Sequence, residues 1–206
     1  MDGVPDQLSH RIPLFPLSRG VFPDGMLRLQ IFEPRYLDLI KRCWREQIPF
    51  VVVWLSQGRE VQTPGDRPEF FPVGCLAHIR DLNEVQPALL SIVCQGGRRF
   101  ELLETQSGPY GVWQGEVADV PADPEVAVPP ELQPLADRIG RVIAQAQQQG
   151  AMDRLPIFAP YALDQCGWVA NRYAEAMPIK ASDQIDLLRE SDPLQRLRRV
   201  AEWAAN

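Results

Sequence analysis

Few side chains in this 206-residue chain stand at spacings that could support catalysis. The two histidines, His10 and His78, are far apart in sequence, so a Ser-His-Asp triad or a multi-histidine metal site has little to draw on. The two lysines, Lys41 and Lys180, do not follow a glycine-rich phosphate-binding loop, and no Gly-x-Ser-x-Gly motif occurs. We therefore predict no catalytic residue, no metal site and no cofactor.

The acidic pairs and the cysteines are better explained as surface and core residues. Acids at the spacing of Glu101 and Glu104, or of Asp183 and Asp186, are typical of solvated faces rather than of acid–base dyads. The cysteines form no Cys-x-x-Cys pair, which favours small buried side chains in a reducing compartment over a zinc site or a set of disulfides. They are Cys43, Cys75, Cys94 and Cys166.

Composition predicts a globular protein of the cytoplasm. Hydrophobic residues make up 45% and charged residues 23% of the chain, and no apolar run approaches the roughly 20 residues of a membrane span. The amino terminus has no basic region that leads into an apolar block, so it does not resemble a secretory signal. The net charge is -6, without a basic excess in either half, so we expect no nucleic-acid or membrane partner.

Residues 31–44 organise the amino-terminal part of the chain. Pro34 suits the first position of a helix, where its missing N–H has no intrahelical partner in any case. Apolar residues then recur at steps of three and four and predict one buried face, which consists of Tyr36, Leu37, Ile40, Cys43 and Trp44. Before Pro34, alternating apolar residues over 27–31 predict a half-buried strand. The strand therefore leads directly into the helix.

Short apolar segments after this helix predict further strands. Residues 50–57 are typical of a buried strand, and residues 73–81 and 110–120 alternate. Residues 88–106 are expected to form two strands joined by a tight turn at Gln95, Gly96 and Gly97. About seven short strands with one early helix predict a strongly curved sheet or small barrel, because closure removes open edges.

The rest of the chain is predicted to be helical. Residues 121–134 hold five prolines and are expected to be a linker. Helical periodicity dominates residues 135–206. The fold class is thus α+β, with a β-rich domain over 1–120, the linker, and a helical bundle over 135–206. The expected helix signals are Asp164, Ser182 and either Ser191 or Asp192 as N-caps, with Gly150 and Pro178 as stops.

The order of motifs resembles the amino-terminal, substrate-binding domain of ATP-dependent Lon proteases, which also occurs as a stand-alone bacterial protein and within cereblon. The matching segments are PLFPL, RGVFP and LRLQIFEPRYLDLI over residues 13–40, then Val73-Gly74, Ala77, Ile79 and Gly97-Arg98-Arg99-Phe100, and finally Tyr110 and Glu116. Each motif is weak alone, and their order over residues 11–120 is more specific. The tail is similar to the helical part of that family, although Met177 stands where leucine is usual and Ile185-Asp186 adjoins the leucine pair.

This resemblance implies a PUA-like curved domain followed by helices. It implies a non-catalytic module of protein quality control that binds unfolded or exposed hydrophobic polypeptide, alone or together with a protease. A complete Lon protease also needs an ATPase and a Ser-Lys peptidase. Lys180 and Ser182 are close in sequence, but Ser182 is better placed as a helix cap.

The resemblance places substrate contacts at the strand–helix junction, on Phe32, Glu33, Arg35 and Tyr36. An exposed aromatic residue with a charged rim would suit an unfolded segment. The alternative for Phe32 is packing beneath the proline-rich first strand. Two other functions stay open at this stage: a PUA-like module that binds RNA, and an enzyme of unrecognised type. The sequence does not predict the oligomeric state.

Overall fold

The computed structural model describes residues 11–61, 65 and 67–204, so residues 1–10 of the predicted first domain lie outside the described part. An α+β fold of six strands and five α-helices is formed by these residues. The strands are β1 (Ile12–Leu17), β2 (Met26–Ile31), β3 (Phe50–Gln57), β4 (Glu69–Gln86), β5 (Leu89–Ser107) and β6 (Trp113–Asp119). The helices are α1 (Pro34–Glu46), α2 (Gln133–Gln148), α3 (Cys166–Ala176), α4 (Ala181–Arg189) and α5 (Pro193–Ala204).

The sheet closes on itself, which confirms the predicted pseudo-barrel. Its order is β2-β5-β4-β3-β1-β6, and β6 pairs again with the second half of β5. One strand can serve both ends because β5 is 19 residues long, and register shifts in its pairing with β4 bend both strands. The first half of β5 pairs with β2 and the second half with β6. The prediction of about seven short strands was wrong: two of the six are long and bent.

The predicted hairpin turn at Gln95, Gly96 and Gly97 was also wrong. Residues 89–107 form one continuous strand, and the chain reverses at Pro87-Ala88 between β4 and β5. Ala88 takes a φ of 62°, the left-handed conformation that tight turns require, while Gly96 and Gly97 have no positive φ. Both glycines instead allow neighbouring groups to approach β5 closely: Phe22 at Gly96 and His78 at Gly97. Glycine serves tight turns and close contacts alike, and the sequence alone does not separate the two uses.

Gly96 allows the loop that precedes β2 to lie directly on β5. Its N–H donates to the carbonyl oxygen of Gly25 and its carbonyl accepts from the N–H of Asp24, both at 2.9 Å. A Cβ atom on Gly96 would overlap the carbonyl oxygen of Phe22. The glycine therefore fixes the position of residues 22–25 against the sheet.

Gly96→Ala is expected to lower the free energy of unfolding by about 1–3 kcal/mol, because the backbone of residues 22–25 must move to admit the methyl group. Gly140→Ala is the matched control. Gly140 lies within α2 and has only Leu163 Cδ1 near the new methyl group, at 3.4 Å. Alanine should stabilise this helix by up to about 1 kcal/mol. Urea unfolding measures the free energy of unfolding of both variants. If both variants are destabilised, or both stabilised, to the same extent, Gly96 is not required for the close contact with residues 22–25.

Helix α1 begins at Pro34 as predicted and packs onto one face of the barrel. Its buried face consists of Tyr36, Leu39, Ile40 and Cys43. The prediction omitted Leu39 and included Leu37 and Trp44, which are only half-buried. The helix ends at Gln47, which has a φ of 54° and whose N–H bonds to carbonyls of the last turn.

The helix signals of the second half were partly correct. Gly150 follows α2 with a φ of 63°, and the Asp192 carboxylate accepts from the N–H groups of Leu194 and Gln195 at the start of α5. Asp164 and Ser182 were wrong as caps. The residue that directly precedes helix α3 is Gln165 rather than Asp164. Ser182 lies inside the first turn of α4.

Three hydrophobic clusters hold the molecule together. Strand β3 is buried on both faces: Phe50 and Val52 pack against α1, whereas Val51 and Val53 pack in a second cluster with Phe100. The third cluster joins the four later helices to Phe22, Trp54 and Val73 of the β-rich part. All four cysteines are buried and free, as expected of core side chains. Among the described helices, none has the length and apolar character to cross a membrane.

The proline-rich segment 121–134 lies against both parts of the molecule. The N–H of Cys166 donates to the backbone carbonyl of Val126, and the N–H of Val128 donates to the backbone carbonyl of Asp164, both at 2.8 Å. Val126, Val128 and Leu132 pack on the cluster that contains the helices. Asp123 forms ion pairs with Arg99 of β5 and Arg196 of α5. This segment therefore connects the sheet to the helices through specific contacts.

Candidate functional site

The strand–helix junction holds three of the four predicted binding residues in one bonded arrangement. Glu33 precedes α1, and its carbonyl oxygen accepts from the N–H of Tyr36 at 3.0 Å. Its carboxylate lies 2.6 Å from Nη2 of Arg35. Nη1 of Arg35 donates to the carbonyl oxygen of Gly111 at 3.1 Å. Arg35 thus ties the junction to the turn between β5 and β6.

Tyr36 lies beneath this arrangement rather than on the surface. It is buried, and its ring centroid is 4.5 Å from that of Phe15. The guanidinium carbon of Arg35 lies 4.7 Å from the same Tyr36 ring centroid, within range of a cation–π interaction. Burial raises the pKa of Tyr36 to about 12, so its hydroxyl stays protonated at neutral pH. Tyr36 can position Arg35 but does not reach an external ligand.

Phe32 and Tyr110 carry the exposed aromatic surface. Phe32 is 53% exposed, which excludes the alternative that it packs beneath the first strand, and Tyr110 is 93% exposed. Phe32 lies three residues before Arg35, and Tyr110 adjoins Gly111, the residue that Arg35 binds. We call Phe32, Arg35 and Tyr110 together the junction surface. It offers two exposed aromatic side chains and a mostly buried guanidinium that is paired with Glu33.

Tyr110 was not among the predicted binding residues, because the alternating pattern predicted a strand from residue 110. The structure places Pro109–Gly111 in a short 3₁₀ turn, and β6 begins at Trp113. Tyr110 has a φ of 57°, a conformation that non-glycine residues seldom adopt outside special sites. The sequence Gly108-Pro109-Tyr110-Gly111 is itself rich in turn formers. That composition was the signal that could have placed Tyr110 at an exposed tip.

The described side chains of the junction surface suit binding better than bond chemistry. Over residues 11–61, 65 and 67–204, no group of three or more His, Cys, Asp or Glu is gathered as a metal site would need. Glu33 and Arg35 are paired with each other, so neither is poised as a proton donor or acceptor. Exposed aromatic groups beside a fixed guanidinium are typical of protein-binding surfaces.

The fold and this surface define a class of protein: an α+β domain with a closed, curved sheet, one early helix and a helical second part, as in the amino-terminal domains of Lon proteases. The chain belongs to the family of the ATP-dependent protease La (LON) substrate-binding domain, whose family model matches residues 11–206. The match concerns the substrate-binding domain and no catalytic domain. This confirms the family that the motif order indicated.

Individual relatives agree with this assignment. A crystal structure of a Lon N-terminal domain protein from Xanthomonas campestris is 28% identical, superposes with a TM-score of 0.70, and is matched over 94% of this chain and 98% of that one. The N-terminal domain of a Mycobacterium avium complex Lon protease shares the fold, with a TM-score of 0.58 at 17% identity over 96% of this chain and 99% of that one. A Lon protease of Anaeromyxobacter dehalogenans is 33% identical over 101 residues, which cover 48% of this chain but only 12% of that protease.

Proposed function

We propose that this chain is a non-catalytic recognition module that binds exposed hydrophobic segments of unfolded polypeptide in the cytoplasm, alone or together with a protease. The observation that carries the proposal is the exposure of Phe32, three residues before Arg35, and of Tyr110, next to the Gly111 carbonyl that Arg35 binds. Membership of a substrate-binding family supports a polypeptide ligand. Exposed apolar side chains that form a contiguous patch on a folded domain mark sites of protein–protein interaction.

The residues in and beneath this surface have different functions. Phe32 and Tyr110 contact apolar side chains of the client, and Arg35 interacts with its backbone carbonyls or acidic groups. Glu33 holds Arg35 in place through the 2.6 Å ion pair, and Tyr36 supports Arg35 from below. Because the cation is held in place before binding, little side-chain entropy is lost when the client arrives.

The double variant Phe32→Ser, Tyr110→Ser is expected to weaken binding of an unfolded client by at least about tenfold, since aromatic anchors at binding surfaces each contribute on the order of 1 kcal/mol or more. The client is reduced, carboxymethylated α-lactalbumin, and native α-lactalbumin is the comparison. Fluorescence anisotropy of the labelled client measures the affinity.

Leu103→Ser is the matched control for this experiment. Leu103 is 54% exposed, nearly the same as Phe32, but it belongs to β5 and is not one of the residues of the junction surface. Its replacement should leave the affinity unchanged. Equal binding of native and unfolded α-lactalbumin by the unmodified chain, or equal losses in the double variant and the control, would contradict the proposed function.

A further inference from the structure

A cavity of about 520 Å³ lies between the loop before β2 and the helical part of the chain. Residues 19–26 form one side, α2 and the start of α4 another, and α3 with residues 155–157 the remainder. Its walls are mostly apolar, from Phe22, Met26, Ile139, Val142 and Ile157. This volume falls within the usual range of ligand sites. The junction surface shares none of these residues, so the cavity is a second, separate feature.

The charged groups of the cavity are mainly positive, although the chain as a whole is acidic. Arg19, Arg138 and Arg172 line it together with a single acid, Glu175. The Glu175 carboxylate is already engaged: one oxygen accepts from the N–H of Phe22 at 3.0 Å, and the other lies 3.0 Å from Nε of Arg172. Both oxygens of this acid are therefore already engaged by groups of the protein itself.

The three arginines differ in how many hydrogen-bond and ion-pair partners their guanidinium groups have. Nη2 of Arg172 donates to the carbonyl of Pro23 at 2.7 Å, but its buried Nη1 has no hydrogen-bond partner within the described part of the chain. Arg19 reaches the carbonyl of Met177 at 3.5 Å, a weak contact. Arg138 is exposed and forms no ion pair with any described residue. Positive charge is thus left over at the rim of an apolar cavity.

We propose that this cavity binds the carboxyl-terminal end of a polypeptide whose last residues are apolar, with the terminal carboxylate beside Arg138 and Arg19. The inference rests on the proposed function in that the ligand is a polypeptide, but it uses a different site. Apolar walls suit the last two or three side chains, and arginine matches a carboxylate through two parallel N–H donors. An internal polypeptide segment that contains no acidic residue has no carboxylate to pair with the arginines of the cavity.

The test compares two fluorescent hexapeptides of sequence Gly-Ser-Gly-Leu-Val-Leu, one with a free terminal carboxylate and one with a terminal carboxamide. The unmodified chain should bind the carboxylate peptide at least about tenfold more tightly, the range expected for one charge-assisted contact. Arg138→Glu should reduce this preference to less than about twofold. Arg141→Glu is the matched control, because Arg141 is an exposed arginine of the same helix that does not line the cavity. It should keep the full preference.

Three results would overturn the proposal. The first is equal affinity for the carboxylate and carboxamide peptides. The second is an equal loss of preference in Arg138→Glu and Arg141→Glu. The third is binding of decanoate, or of a carboxamide peptide with an internal aspartate, as tightly as the carboxylate peptide, because either would assign the cavity to another ligand. The Phe32→Ser, Tyr110→Ser variant should keep the carboxylate preference, so failure at the junction surface and failure at the cavity give different results.

Discussion

Replacement of Asp123 by asparagine is expected to lower the free energy of unfolding by about 3–5 kcal/mol, the largest effect of any single substitution considered for this chain. Asp123 lies between two buried arginines. Its Oδ1 is 2.6 Å from Nη2 of Arg99, and its Oδ2 is 2.6 Å from Nη1 of Arg196. Arg99 is 3% exposed and Arg196 is fully buried. Without the carboxylate, these two buried cations lose the acid with which both form ion pairs, and no other described residue forms an ion pair with either.

The carbonyl groups around these arginines cannot replace Asp123. Arg99 donates to the carbonyls of Leu188 and Glu190, and Arg196 donates to those of Leu187 and Glu190. These bonds satisfy N–H donors, but they do not neutralise charge. Burial already lowers the pKa of Arg99 from its ordinary value. Loss of Asp123 therefore leaves both desolvation costs in place while it removes the attraction that offsets them.

Asp119→Asn provides the control for Asp123→Asn. Asp119 pairs with Arg98, the neighbour of Arg99, at 3.2 Å. Both side chains of this ion pair are exposed to water. Exposed pairs contribute about 0–1 kcal/mol, so this variant should unfold almost as the unmodified chain does. Urea denaturation followed by tryptophan fluorescence measures both. If the two variants lose equally little stability, the buried ion cluster does not hold the sheet to the helices.

The second large effect concerns pH and Glu175. Burial raises the pKa of this carboxyl from 4.5 to about 7, more than the opposing effects of Arg172 and the Phe22 N–H lower it, and the charge of Asp24 adds to the rise. Between pH 4.5 and about pH 7, Glu175 keeps its proton in the folded protein but releases it in the unfolded chain. The contribution of Glu175 to stability is thus fully present below about pH 4.5 and is lost as pH rises through 7. The predicted loss is up to about 3 kcal/mol.

Glu175→Gln isolates this contribution from other titrating groups. Glutamine keeps an oxygen that can accept from the N–H of Phe22 but has no proton to lose. Between pH 5 and pH 8 the unmodified chain should therefore lose up to about 3 kcal/mol more stability than the variant. Urea denaturation at half-unit pH steps gives the two profiles. Parallel profiles would show that Glu175 titrates near its ordinary pKa and that this part of the cavity is well hydrated.

The junction surface shows how far sequence reasoning reached toward a site. Pro34 and the alternation before it located the strand–helix junction, and Phe32 is exposed there as a binding residue must be. The same reasoning placed Tyr36 in the site, although it is buried against Phe15. It also overlooked Tyr110, whose relation to Arg35 depends on a hydrogen bond that spans 76 positions of sequence. Periodicity describes one element at a time, so contacts between elements are outside its reach.

The sequence by itself indicated the family, the helical segments and the curvature of the sheet, because helix and strand periods, proline positions and motif order are properties of neighbouring residues. It indicated a curved sheet, an early helix at Pro34 and a helical second half. Only the tertiary structure decided what Gly96, Arg99 and Glu175 do. Gly96 admits a crossing backbone, Arg99 shares Asp123 with Arg196, and Glu175 meets the N–H of Phe22 from 153 residues away. Burial and charge pairing depend on which distant segments meet, and that is settled when the whole core packs.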